Sequence, residues 1–193
     1  FSMPFLSQQK NFKGIGFIEN SFQKIIKKDF QKLNLLFVGG SFDTSVNLLI
    51  NYINENCKIN LPDNLKIYVD KSIYINLKNN KDVFLFDFDI DSLSFIDLIV
   101  SRAGLGIISD CVMNKIPIFY IKDINYEIQF NSKVIDNLII GQEFNENNNM
   151  IDLINIFSSV KSKYQNSFND LNKDGVFQFV SIIKNILNGK NNC

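Results

Sequence analysis

Short apolar runs recur along the chain, each bounded by polar or turn-forming residues. They are NLLFV (34–38), LKIYV (65–69), DVFLF (82–86), DLIV (97–100) and PIFYI (117–121), with a weaker sixth in NLII (137–140). Runs of this length without alternation are typical of strands covered on both faces. Between them the apolar period becomes that of a helix. SVNLLINYINEN (45–56) sets Val46, Leu49, Ile50 and Ile53 on one face. SIYINLKNN, LGIISDCVMNK and EIQFNSKVID give three further helices. Two more are expected near 150–164 and 175–188, separated by the polar stretch YQNSFNDLNKDG, and Asn-rich NENNNM reads as a loop tip. Residues 1–33 show no strand and no core helix before the short polar helix SFQKIIKKDF, and read as a leading linker.

Strands alternating with helices imply βαβ units, a parallel sheet and right-handed crossovers. The expectation is an α/β chain, with one Rossmann-like three-layer domain over 34–193 and a parallel sheet of about six strands. In the strand order 3-2-1-4-5-6, the first and fourth strands are neighbours where the order reverses. Ligands bind there, at the carboxyl ends. The first strand runs into FVGGSFDTS, with Gly39, Gly40 and Ser41. The fourth runs into IVSRAGLGIIS, with Ser101, Arg102, Ala103, Gly104 and Gly106. No other strand exit has a comparable run of small residues, so both candidate loops fall on one crevice.

Composition narrows the classes. At 193 residues, 46% apolar and 21% charged, the chain suits one sizeable globular domain. Lys+Arg and Asp+Glu both number 20, and zero net charge argues against bulk nucleic-acid or anionic-membrane binding. Cys57, Cys111 and Cys193 are odd in number and far apart, which indicates neither a disulfide framework nor a zinc site, and makes a cytoplasmic setting the expectation. With no histidine, the chain itself contains no Ser-His-Asp or Cys-His catalysis and no His-ligated metal. No apolar run reaches the ~18–20 residues that span a bilayer, and no signal peptide is visible. Phe1-Ser2 ahead of Met3 suggests a processed product or a fragment.

The two loops suit an anion. Glycine lets backbone approach a ligand closely, and a following helix N-terminus offers free N–H groups and partial positive charge. Ser41 and Ser101 add hydroxyls. Arg102 is the only arginine in the chain, and its planar fork can grip a phosphate or carboxylate as lysine does not. The plainer alternative is a sharp βα turn with Arg102 paired to Asp97 or another surface acid. Neither loop matches GxGxxG and no GxxxxGK[ST] occurs, which disfavours a dinucleotide cofactor and excludes a P-loop. Asp110, six residues beyond Gly104, can hold two ribose hydroxyls if it faces the crevice. Otherwise it is a solvated helix acid.

DLIVSRAGLGIISDCVMNKIPIFYI resembles the signature of the family 28 glycosyltransferase C-terminal domain: aspartate, apolar strand, S-R-A/S-G, T/S-x-x-E, x-P, apolar strand. LLFVGGSFDTSVNLLINYI is similar to that family's GGS loop, and NYEIQFNSKVI to its E-Q-x-x-N-A segment. The matches run in order over about 34–140, and members of the family include the peptidoglycan lipid I N-acetylglucosaminyltransferase. The resemblance implies half of a GT-B fold that binds a UDP-sugar donor without a metal or other cofactor. It implies diphosphate contacts from Gly39, Gly40, Ser41 and the Ser101–Gly104 turn, ribose at Asp110, uracil near Phe88 and donor sugar at Glu127. The pattern departs at Asp110, where the family has glutamate, at Asn114 in place of a helix-end glycine, and at Ile128 in place of glutamine. The segment before Asp97 is also short.

The family's acceptor-binding domain, which supplies the catalytic base, has no counterpart here. The resemblance therefore implies a partner: an N-terminal portion or a separate subunit, with membrane contact only through that partner or the acceptor. Two other readings stand beside it. One is a UDP-sugar hydrolase of the pseudaminic-acid type, and the other a non-catalytic interaction domain that kept the fold.

Overall fold

The computed structural model describes residues 32–57, 61–88, 91, 93–169 and 171. The expected polar helix at 21–30 and the last helix at 175–188 lie outside them. Among the described residues are six strands: β1 (Leu33–Val38), β2 (Leu65–Val69), β3 (Val83–Leu85), β4 (Leu98–Arg102), β5 (Ile118–Ile121) and β6 (Gly141–Glu143). Among the same residues five α-helices accompany them: α1 (Asp43–Asn56), α2 (Lys71–Leu77), α3 (Leu105–Asn114), α4 (Tyr126–Leu138) and α5 (Met150–Asn169), with a 3-10 turn at Leu93–Phe95. The strands form one parallel sheet in the order β3-β2-β1-β4-β5-β6. The protein is thus an α/β Rossmann-like domain, as the apolar pattern predicts.

Sheet register explains the core. Leu35 lies opposite both Ile67 and Leu98, and Val38 lies opposite Ser101. Leu35, Leu36, Phe37, Leu98, Ile99, Val100 and Ile118 are fully buried, so both sheet faces are covered. Right-handed crossovers from an order that reverses between β1 and β4 put α1 and α2 on one face and α3 and α4 on the other. The Asn56 side chain accepts from Met150 N–H at 2.6 Å and so ties α1 to the start of α5. Phe157 and Tyr164 of α5 meet Phe119 of β5 edge-on.

Three local expectations need correction. The sixth strand is not NLII. Residues 137 and 138 end α4, Ile139 takes the left-handed cap (φ 54), and the strand begins at Gly141. A Cβ on Gly141 would sit 1.8 Å from the Ile118 carbonyl oxygen, so only glycine lets this edge strand reach β5. Helix α5 runs on through YQNSFN instead of stopping near 164, because Tyr164 and Phe168, one turn apart, are buried. Asn114, which stands in place of the family's helix-end glycine and could have taken its left-handed cap, is still helical; the left-handed residue is Lys115 (φ 56), and the Asn114 side-chain amide donates to the Asp110 carbonyl.

Candidate functional site

Strands β1 and β4 are adjacent, and their C-terminal ends release the two glycine loops side by side. The GGS loop turns at Gly40 (φ 69). A Cβ on Gly39 would come within 2.6 Å of the Val46 side chain, so this glycine lets α1 pack close to the strand end. The Gly39 and Gly40 N–H groups donate to Asp70 Oδ2 at 2.9 and 3.0 Å. Asp70 Oδ1 accepts from Ser72 Oγ at 2.7 Å and from Ile73 N–H at 3.0 Å, capping α2. Donors expected to face a diphosphate therefore already hold an anion of the chain itself. The loop still offers Ser41 and the start of α1, all exposed. Helix α1 has Phe42 at its N-cap with no side-chain cap bond, and Asp43 in its first turn.

The second loop is built differently. Ser101 is buried and its hydroxyl donates to the Val38 carbonyl at 3.0 Å, stapling the ends of β4 and β1. Its single proton is spent, so it is a scaffold group rather than the free donor expected. The Ala103 carbonyl accepts from buried Asn131 of α4 at 2.9 Å. Gly104 caps α3 without a side-chain bond, and the first turn of α3 has no acid. This helix start directs free N–H groups and partial positive charge toward the crevice.

Arg102 joins three loops. Its Nε–H donates to Asp123 Oδ2 at 2.5 Å, and its guanidinium carbon lies 3.6 Å from the centre of the Phe42 ring. Only 11% of its side chain is exposed. Among the described residues its Nη groups have no hydrogen-bond partner. The acid partner is Asp123 rather than Asp97, which sits buried at the other end of β4 and accepts from Asn34 N–H and Lys161 Nζ. Burial works to raise the Asp123 pKa. The Asn125 N–H and the Arg102 bond and charge outweigh it, leaving the carboxyl below its ordinary range.

The remaining expected residues are spread out. Asp110 lies between one and two turns into α3, half-buried, and its carboxylate has no hydrogen-bond partner among the described residues; burial raises its pKa. Glu127 is exposed in the first turn of α4, where its N–H donates to the cap residue Asn125. Phe88 follows β3, two strands from β1 and about 10 Å from it by strand spacing. It stacks edge-on with Phe86 at 4.9 Å, and only the C-terminal edge of the sheet is common to it and the glycine loops.

Four residues of the site escape the sequence reading: Phe42, Asp70, Asp123 and Asn131. Asp70 had a signal, since VDKSIY is an aspartate directly after a strand and before a helix. Asn131 had one too, standing at the asparagine of the E-Q-x-x-N-A resemblance, though not its bond to the Ala103 carbonyl. The contacts of Phe42 and Asp123 with Arg102 are long-range and leave none. A separate open concavity of about 450 Å³ lies at the N-terminal ends of β1 and β2, lined by Lys32, Pro62, Asn64, Asp97, Ser158 and Lys161. Lys161 and Asp97 there already pair, at 3.2 Å. No glycine loop opens onto it, so chemistry favours the opposite edge.

No family model and no curated protein matches the chain. Solved structures do. The glycosyltransferase of kitacinnamycin superposes with a TM-score of 0.63 at 14% identity, covering 90% of this chain and 48% of that one. The glycosyltransferase SnogD from Streptomyces nogalater gives 0.62 at 11%, covering 90% and 51%. MurG from Acinetobacter baumannii gives 0.57 at 15%, covering 82% and 51%. Such identities show the fold: a Rossmann-like domain of the kind found in GT-B glycosyltransferases. The chain spans about half the length of each structure.

Proposed function

We propose that this chain is the donor-binding half of a GT-B glycosyltransferase of the family 28 type, similar to the lipid I N-acetylglucosaminyltransferase and specific for a UDP-sugar. The observation that carries this reading is the acid-free, uncapped start of α3 beside Arg102, at the point where the strand order reverses in a fold shared with glycosyltransferases. The diphosphate lies against the α3 N–H groups and the Arg102 Nη edge. Ser41 adds a hydroxyl, Asp110 takes the ribose hydroxyls and Glu127 the sugar. Phe88 contacts the base if the nucleotide extends along the sheet edge toward β3.

In transfer, the bond between the sugar C1 and the diphosphate oxygen breaks as an acceptor hydroxyl attacks C1. A base on a facing domain removes the hydroxyl proton. This half stabilises the charge that develops on the departing UDP, with no metal needed. Ile124 on the β5–α4 loop and Tyr126 at the start of α4, 92% and 89% exposed, suit contact with such a domain, whether an N-terminal portion or a separate subunit. No helix among the described residues is long and apolar enough to cross a membrane.

Gly106 gives a sharp test. It is exposed in the first turn of α3, and a Cβ there meets nothing within 4 Å. Gly106→Glu is expected to stabilise the fold by up to about 1 kcal/mol, through helix propensity and the helix dipole. The same carboxylate is expected to abolish UDP binding by occupying the anion position. A variant that is stable and still binds UDP like wild type would overturn the site.

A second reading has its own support. Asp70 fills the GGS loop and Asp123 neutralises Arg102, as in a domain that keeps the fold for interaction alone. It predicts no affinity for any nucleotide.

A further inference from the structure

We infer that Phe42 and Asp123 are positioning residues that hold Arg102 in one orientation, with its Nη edge turned to the diphosphate. The inference rests on the donor-binding reading above and goes beyond it, to two residues that touch no substrate. An unrestrained arginine side chain would lose its rotamer freedom on binding. Here that freedom is already removed. Asp123 takes the Nε–H and fixes the plane of the guanidinium, while the Phe42 ring covers one face at 3.6 Å. The Nη groups are left over, and they form the edge that suits bidentate contact with phosphate oxygens.

Phe42 is otherwise out of place. It stands at the N-cap of α1, where Ser, Thr, Asp or Asn would cap the helix, and it makes no cap bond. It is also 50% exposed. An aromatic ring at this position gives up helix capping and leaves apolar surface in water. The contact it gains is the face of the one arginine in the chain. Asp123 is similarly committed: its second oxygen accepts from Asn125 N–H at 2.8 Å, which fixes the carboxylate on the β5–α4 loop. Three βα loops thus converge on one guanidinium.

A single arginine makes the test direct. Protein labelled with ¹⁵N at arginine Nε gives one Nε–H resonance, read with and without UDP. The wild type is expected to show a rigid, slowly exchanging Nε–H, shifted by the ring current of Phe42. Phe42→Leu keeps the apolar bulk and is expected to make that signal mobile and weaken UDP binding roughly three- to tenfold. Phe42→Tyr is expected to restore both. Asp123→Asn is expected to speed exchange of the signal and weaken UDP in the same range.

A mobile, averaged Nε–H in the wild type overturns the positioning role whatever the ligand does. If Phe42→Leu and Asp123→Asn bind UDP like wild type while Arg102→Ala does not, positioning fails and the donor site stands. If UDP binds to none of the proteins, or binds Arg102→Ala as tightly as wild type, the donor site fails and this inference with it.

Discussion

Asp110 is the residue at which stability and proposed function pull apart. Its half-buried carboxylate has no hydrogen-bond partner among the described residues, and burial raises its pKa. A folded pKa above the unfolded value means that the protonated form favours the fold. The contribution is whole below the unfolded pKa of about 4 and is lost as pH rises through the folded value. Asp110→Asn removes that loss and breaks no hydrogen bond among the described residues. Urea titrations should find the variant more stable than wild type at pH 7, with the gap closing toward pH 3, and UDP binding weakened. A variant less stable than wild type at pH 7 would contradict this. Asp123 has the opposite sign: its folded pKa is depressed, so its contribution is present above the unfolded value and lost as pH falls through the folded one. One acid is held for the fold, and the other is tolerated at the fold's expense.

At the scale of elements, Asp70 links the end of β1 to the start of α2. It satisfies Gly39 and Gly40 N–H with one oxygen, and Ser72 Oγ and Ile73 N–H with the other. Asp70→Ala removes a helix cap, worth about 1 kcal/mol. It also leaves partly buried donors unpaired, at about 1–3 kcal/mol. A combined loss of roughly 2–4 kcal/mol is expected from the urea midpoint at unchanged m-value, and a loss under about 0.5 kcal/mol would show that the loop closes without it.

The elements themselves were mostly legible because each buried strand is a short continuous apolar run. LKIYV matches β2 residue for residue. The failures have physical causes. NLII looked like a strand because its apolar residues finish a helix and turn through a left-handed Ile139, where the penalty on a β-branched residue hides the turn from the pattern. At β6 the deciding feature is backbone proximity at Gly141, which three polar-looking residues do not announce. The place of the site was legible, since strand order and small residues both point to β1 and β4. What each donor does there was not. Whether Ser101 serves a ligand or Val38, and whether Gly39 faces a phosphate or Asp70, depends on neighbours more than thirty residues away in sequence.

For the whole molecule, the β1–β4 crevice combines the acid-free start of α3 with an arginine already paired and oriented, in a chain half the length of the glycosyltransferases that share its fold. Charge alone would draw a diphosphate weakly, because Asp43, Asp70 and Asp123 stand around the two loops. Affinity must then come from directed donors rather than from a basic surface. The most direct measurement is calorimetric titration of the chain with UDP, with ADP as control and Arg102→Ala alongside. The account predicts saturable one-to-one binding of UDP, weaker or absent binding of ADP, and a loss of roughly ten- to a hundredfold in the variant, the scale of a charge-assisted hydrogen bond. UDP that is silent, indistinguishable from ADP, or indifferent to Arg102 would contradict it.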